Sequence, residues 1–231
     1  MDLKNKNILI VAAHPDDDLL GCGGTIIKAI KYGSKIKILF LGEGVSSRFN
    51  DLKNKENVYK KASDKRYNEC KNSLKILGVK DYIFEERLCT RFDELPIGTI
   101  VKSIEREIEL TSPQIILTHH HSDVNIDHNI THKAVEIATR PNNKTKHLSV
   151  YSFEIVCSSN FSFFKNFSPT TYIDISKEIN KKVKAWNCYI NETKKFPFPR
   201  SKEGLITLAK YRGMQSYLKF AEAFKLEREI F

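Results

Sequence analysis

What this sequence lacks narrows its class before any motif is read. No apolar run approaches the ~20 residues that a membrane-spanning helix requires. The polar start, Met1 to Asn7, leads directly into the strand-like ILIVAA without a signal-peptide core, so the reading is a cytoplasmic protein with no transmembrane segment. The five cysteines, Cys22, Cys70, Cys89, Cys157 and Cys188, are odd in number and contain no CxxC pair. That argues against both a disulfide framework and a cysteine zinc site. There is no internal repeat, no low-complexity linker, and no aromatic series interleaved with basic residues that could stack nucleic-acid bases.

What is present is a 231-residue chain with 41% apolar residues and a formal charge of +10. That length and composition suit one α/β domain spanning 1–231. The lysines are scattered in amphipathic stretches, as at Lys60-Lys61, Lys181-Lys182 and Lys194-Lys195, where a solvated helix face accounts for them. A nucleic-acid partner is therefore not expected. The same positive field suits a phosphate-bearing or nucleotide-linked small molecule, and a homo-oligomer is compatible with everything in the sequence.

Strand-length apolar runs alternate with helix-period segments. Ile8 to Ala13 reads as a strand, Gly23 to Tyr32 as a helix capped by Gly33, and Lys35 to Leu41 as a second strand. A polar segment, Glu43 to Asn57, follows. Val58 to Leu77 reads as a helix, Tyr82 to Phe84 as a strand, Pro96 to Leu110 as a helix, Gln114 to Thr118 as a fully buried strand and His128 to Ala138 as a helix. The last third is less regular: strands near Ser149 to Val156 and Thr171 to Ile175, a helix from Lys177 to Glu192, and two helices separated around Gly213. The expected architecture is a Rossmann-like, open and mostly parallel sheet flanked by helices.

Two segments carry the chemistry. The first, AHPDDD, lies just past the first strand, where open parallel sheets bind ligands. One of Asp16, Asp17 and Asp18 can cap the next helix, but three carboxylates and His14 exceed what a cap requires, and a divalent metal compensates their repulsion. The second, THHHSDVNIDHNITH, puts five of the seven histidines within fifteen residues, directly after the buried strand. A satisfied core histidine explains one of these and not the cluster. His14, Asp17 and His128 supply two imidazoles and a carboxylate, a set that leaves coordination positions for water. Asp127 is placed to accept a hydrogen bond from a ligating imidazole.

With both segments in view, the chain resembles the PIG-L/LmbE-like family of zinc-dependent N-deacetylases. Its AHPDD motif stands at Ala13 to Asp17 and its DxHxDH-type motif at Asp123 to His128, here DVNIDH. GEGVSSR, RFDELP, ATRP and the closing PRSKE, YRG and AEAF segments extend the likeness over nearly the whole chain. The resemblance implies a Rossmann-like fold and removal of an N-acetyl group from an amino-sugar-containing small molecule by attack of metal-bound water. It implies zinc, with Fe2+ as the alternative, on His14, Asp17 and His128, and Asp16 as general base. It places Arg48 and Asp93 against the substrate, with His120 added from the histidine cluster; Arg212 and Glu222 match family positions that helix packing explains equally. Asn125 departs from the family histidine thought to stabilise the oxyanion or protonate the leaving amine. Asparagine donates a hydrogen bond but is not an acid, so the acid role passes to protonated Asp16 or to one of His119, His120 and His121. Two other readings use the same residues: a non-haem Fe(II) oxygenase with a 2-His-1-carboxylate set, and a catalytically silent metal- or carbohydrate-binding module.

Overall fold

The strand β1 (Asn7–Ala12) is buried almost throughout because its alternate side chains enter two different cores. Ile8, Ile10 and Ala12 join one, and Leu9 and Val11 the other. A strand with two apolar faces needs helices on both sides. In the computed structural model, which describes residues 1–49, 56–142, 145–163 and 166–230, the chain supplies them. After β1 come α1 (Asp17–Lys31), β2 (Lys35–Gly42), α2 (Glu56–Leu77), β3 (Asp81–Arg87), α3 (Ile97–Thr111), β4 (Ile115–His119), α4 (Ile126–Ala138) and β5 (Ser149–Phe153). Then follow β6 (Thr171–Asp174), α5 (Ile179–Trp186), α6 (Lys202–Met214) and β7 (Ala221–Glu229). Residues 50–55 of the polar segment anticipated after Glu43 lie outside the described residues.

The seven strands form one sheet in the order β3-β2-β1-β4-β5-β7-β6. From β3 to β5 every pairing is parallel, while β7 runs antiparallel to both β5 and β6. Leu19 of α1, Leu74 of α2, Val183 of α5 and Leu205 of α6 pack on one face, and Ile104 of α3 and Val135 of α4 on the other. The fold is thus α/β, with a mixed, mostly parallel sheet between two helical layers.

The chain after Gly213 differs from the helix expected there. AEAFKLERE is rich in helix formers, yet Ala221–Glu229 is a strand. It occupies the slot between β5 and β6, with Tyr151 opposite Leu226 and Ile173 opposite Glu222. Backbone partners on both edges and burial of Ala221 to Phe224 outweigh a propensity of tenths of a kcal/mol per residue. Two boundaries also move: α1 begins at Asp17 rather than Gly23, and α5 ends at Trp186 rather than Glu192.

α1 matters because it starts in the AHPDDD motif. It is interrupted at Cys22 (φ −145, ψ 22), and the N–H groups of Gly24 and Thr25 that the break exposes donate to the Glu222 carboxylate at 2.8 and 2.7 Å. The same carboxylate accepts from Lys182 Nζ at 2.6 Å. α1 also lies so close to the sheet that a Cβ on Gly21 would run into the Phe153 ring, and one on Gly24 would meet Ile175 at 2.7 Å. Gly21→Ala should therefore cost about 1–3 kcal/mol by overpacking, seen as a lower urea midpoint at unchanged m-value; wild-type stability in that variant would contradict this packing.

Candidate metal centre

β1 and β4 are parallel neighbours, with Ile8 opposite Ile115 and Ile10 opposite Leu117. Both strands therefore release the chain at the same sheet edge, at the point where the strand order turns from β2 on one side of β1 to β4 on the other. His14 and Asp17 follow β1, His119 ends β4, and the first turn of α4 carries Asp127 and His128.

His14, Asp17 and His128 each offer one ligand atom within 4.8 Å of the other two, and all three are buried. Asp17 Oδ2 lies 3.4 Å from His14 Nδ1 and 3.3 Å from His128 Nε2. Asp17 Oδ1 and His128 Nε2 are buried without hydrogen-bond partners, a rare condition in a folded protein that a cation would relieve. Two imidazole nitrogens and a carboxylate oxygen are donors that zinc accepts, and iron accepts the same set.

Each imidazole is backed by its own carboxylate. His14 Nε2 is 2.8 Å from Asp127 Oδ2, and Asp127 is held in turn by the N–H groups of Thr90 and Phe92. His128 Nδ1 is 3.1 Å from Asp123 Oδ2, an ion-pair distance without hydrogen-bond alignment. The hydroxyls of Ser158 and Ser159 donate to that oxygen at 2.8 and 2.7 Å. Burial disfavours a charge on either ring, but the facing carboxylates outweigh it, holding His14 well above its usual range and His128 at about 9. Asp17, whose burial acts the other way, is held well below the usual carboxylate range by His128 and His119, and Asp123 falls to about 2 beside His128. Protons on these imidazoles occupy the role of a divalent cation, whose binding would displace them.

Asp16 sits beside this cluster at φ 150, ψ −22, a conformation that costs a non-glycine residue ~1–3 kcal/mol. Its carbonyl accepts from Leu20 N–H at 2.9 Å, and its Oδ2 accepts from Arg66 Nη1 at 2.9 Å. Arg200 Nη1 is 3.5 Å from the same oxygen. Burial raises the Asp16 carboxyl while the two guanidiniums pull it down. Arg66, buried on α2, also donates to the Pro15 carbonyl at 3.1 Å and pairs with Glu192. Glu192 further pairs with Arg48 and lies 3.6 Å from Arg200.

The structure thus brings together His14, Asp16, Asp17, Asp127 and His128. Asp127 serves His14 rather than its neighbour His128. Asn125 is the N-cap of α4, its Oδ1 accepting from Asp127 N–H at 2.9 Å. Arg48 is half-exposed and reaches the cluster through Glu192, and Asp93 lies exposed in the 3-10 turn Phe92–Glu94. His120 is turned away, with Nδ1 2.7 Å from Ser122 Oγ, its ring against Phe167 and its Nε2 3.9 Å from Glu227. His119 stacks on His128 at 3.9 Å between centroids, its Nε2 accepting from Ala13 N–H at 2.9 Å. Sequence reasoning assigned no role to Asp123, Arg66, Glu192 or Arg200. Asp123 and Arg200 stand inside noted motifs, whereas Arg66 and Glu192 look like ordinary surface charges.

The family model described as GlcNAc-PI de-N-acetylase, PIG-L, matches residues 9–139, the span that contains both motifs. The chain belongs to the PIG-L family. As a PIG-L deacetylase it is 26% identical over 236 residues to the diacetylchitobiose deacetylase of Thermococcus kodakarensis, covering 98% of this chain and 85% of that one. Among solved structures, N,N'-diacetylchitobiose deacetylase from Pyrococcus horikoshii, complexed with its inhibitor MPG, matches with a TM-score of 0.77 at 19% identity, over 98% of this chain and 87% of that one. GalB, the 4-carboxy-2-hydroxymuconate hydratase from Pseudomonas putida KT2440, matches with a TM-score of 0.76 at 20% identity, over 98% of each chain. At such identities the two structures share the fold with this PIG-L chain, and a deacetylase and a hydratase share it with each other. No helix among the described residues is long and apolar enough to cross a membrane.

The enclosure of His120 generates a pH prediction. Burial, together with the charges of His121 and His132, depresses it to about 3, against ~6.5 when unfolded. Its contribution to stability is then complete above about 6.5 and lost as pH falls toward about 3, because the unfolded chain takes up a proton that the folded one refuses. His120→Asn should show a shallower loss of stability between neutral and acid pH in denaturant titrations; an unchanged slope would place the ring in solvent.

Proposed function

We propose that the protein is a zinc-dependent N-deacetylase that removes an acetyl group from an amino-sugar-containing small molecule. The observation that carries this is the buried His14, Asp17 and His128 set, each imidazole backed by a carboxylate, with a further carboxylate, Asp16, at its side. Zinc on these residues supplies a Lewis acid for the acyl carbonyl and makes water acidic enough to ionise near neutral pH. Asp16 takes the proton from the attacking water. Its Oδ2 is engaged by Arg66 and Arg200, and among the described residues nothing hydrogen-bonds to Oδ1, which is left to carry the proton and return it to the departing amine.

Asn125 is the donor for the oxyanion in this reading: its Oδ1 is committed to the helix, leaving the amide N–H groups to point elsewhere. Loss of one such donor commonly costs ~3 kcal/mol of transition-state stabilisation. His119 and His120 are held neutral by burial, which favours Asp16 over them as the acid. Arg48 and Asp93 meet the sugar from the rim, and His120 has no part. Arg48, Arg66 and Arg200 pair with Asp16 and Glu192, and the half-exposed Arg48 guanidinium at the rim favours a phosphate- or nucleotide-linked substrate. The names of the relatives make N,N'-diacetylchitobiose the first neutral sugar to try.

The test is acetate release by the zinc-reconstituted protein from a panel of N-acetylated sugars, with and without phosphate or nucleotide. Asp16→Asn should keep one zinc and lose turnover by 100-fold or more, on the order of a lost general base, whereas His128→Ala should lose both metal and turnover. A fully active Asp16→Asn would remove Asp16 from the mechanism, and a protein that holds zinc but releases no acetate from any sugar would favour the silent binding module.

A further inference from the structure

His14 presents its two ring nitrogens to two different sets of donors. Nδ1 faces Asp17 Oδ2 at 3.4 Å, and Nε2 faces Asp127 Oδ2 at 2.8 Å. Cys89 completes a second trio with His14 and Asp127: one atom from each of the three lies within 4.8 Å of the other two, and all three residues are buried. The three come from separate segments, the end of β1, the turn after β3 and the first turn of α4. Their backbone supports are in place without any ion. Cys89 N–H donates to Glu43 Oε1 at 2.8 Å and Ser46 Oγ at 2.7 Å, and Asp127 is held by Thr90 and Phe92. The thiol makes a weak contact with Ser47 Oγ at 3.7 Å and also faces the His14 ring.

We propose that His14, Cys89 and Asp127 form a second metal site, selective for thiophilic divalent ions such as cadmium or excess zinc, and that filling it inhibits the enzyme. Sulfur makes the distinction. The His14, Asp17 and His128 set is all nitrogen and oxygen, whereas a thiolate favours soft ions and excludes magnesium and calcium. An ion entering here displaces the Cys89 thiol proton and the proton that His14 shares with Asp127, and both go to solvent; no bond to carbon changes and nothing is oxidised. His14 then loses the carboxylate that aims it at Asp17, and its ring is drawn between two cations, so the second ion weakens the first site.

The inhibition rests on the deacetylase reading, but the binding does not. Enzyme holding one zinc is titrated anaerobically with cadmium chloride. A second equivalent should bind with an ultraviolet thiolate-to-cadmium charge-transfer band, and acetate release should fall in step. Cys89→Ser should keep the first metal and its activity, lose the band, and need about 10-fold more cadmium or greater for half inhibition, the scale on which a lost metal-site partner acts. An unchanged band and inhibition in Cys89→Ser would overturn the proposal. Cadmium NMR of the wild-type protein needs no variant: a resonance displaced by one sulfur ligand supports the site, and resonances confined to nitrogen and oxygen coordination sink it. Because band and resonance are read without substrate, their absence from the wild-type protein counts against this site alone, and absence of acetate release from every sugar counts against the deacetylase reading alone.

Discussion

The parallel pairing of β1 with β4 is the constraint on which the site depends. Their register, Ile8 to Ile115 through Ile10 to Leu117, is enforced by side chains that point into two cores, since a one-residue slip would exchange the faces of Ile115, Ile116 and Leu117. With that register fixed, two segments more than a hundred residues apart leave the sheet side by side. His14 then meets Asp127, and Asp17 meets His128, without any long loop having to search for its partner. The Glu222 clamp on the broken α1 serves the same end, because it fixes the helix whose first residues are Asp17 and Asp18.

Concentrating so many ionisable groups in a dry place carries a cost of several kcal/mol for each ion left unpaired. The chain offsets it by giving every charge an opposite neighbour: Asp127 for His14, Asp123 for His128, Arg66 and Arg200 for Asp16, and Arg48 for Glu192. Asp18 is an exception: both its oxygens are buried without a partner, and burial pushes its carboxyl up to about 8. Asp17 Oδ1 and His128 Nε2 are likewise without a hydrogen bond, and they belong to two of the three residues that could hold a metal ion. Their unmet hydrogen-bonding capacity is what a cation held by His14, Asp17 and His128 would satisfy.

How far the sequence could be read depended on whether a residue's role was local. QIILT was legible as a buried strand because both its faces are apolar, and the AHPDD and DVNIDH motifs were legible because their residue types have few other uses. β7 was not, because AEAFKLERE becomes a strand only where β5 and β6 are already present to receive it. Nor were Arg66 and Glu192, which stand among other charges in the sequence and differ from them only in being buried. The histidine run shows a finer limit. At the end of a strand successive side chains leave on opposite faces, so His119 turns toward Asp17 while His120 turns toward Phe167 and Glu227. Asp127 and His128 likewise diverge by the turn of a helix, so Asp127 reaches His14 rather than its neighbour, a choice that sequence adjacency does not specify.

The same logic gives Asn125 a reason that the family pattern alone does not. As the N-cap of α4 its side chain accepts from Asp127 N–H, its own N–H donates to Asp123 Oδ1 at 2.9 Å, and its carbonyl accepts from Asn129 Nδ2 at 2.9 Å. Asparagine is among the best residues at that position, and Asn125 thereby braces the Asp123 carboxylate through its backbone and the Asp127 backbone through its side chain. Histidine would bring an acid to the site but caps a helix less well. On the proposed deacetylase reading, the exchange trades a proton donor for rigidity in the turn that carries His128, and another group near the scissile bond must then handle the proton. Asp16, buried, strained and placed between two guanidiniums, is the group whose surroundings suit that demand.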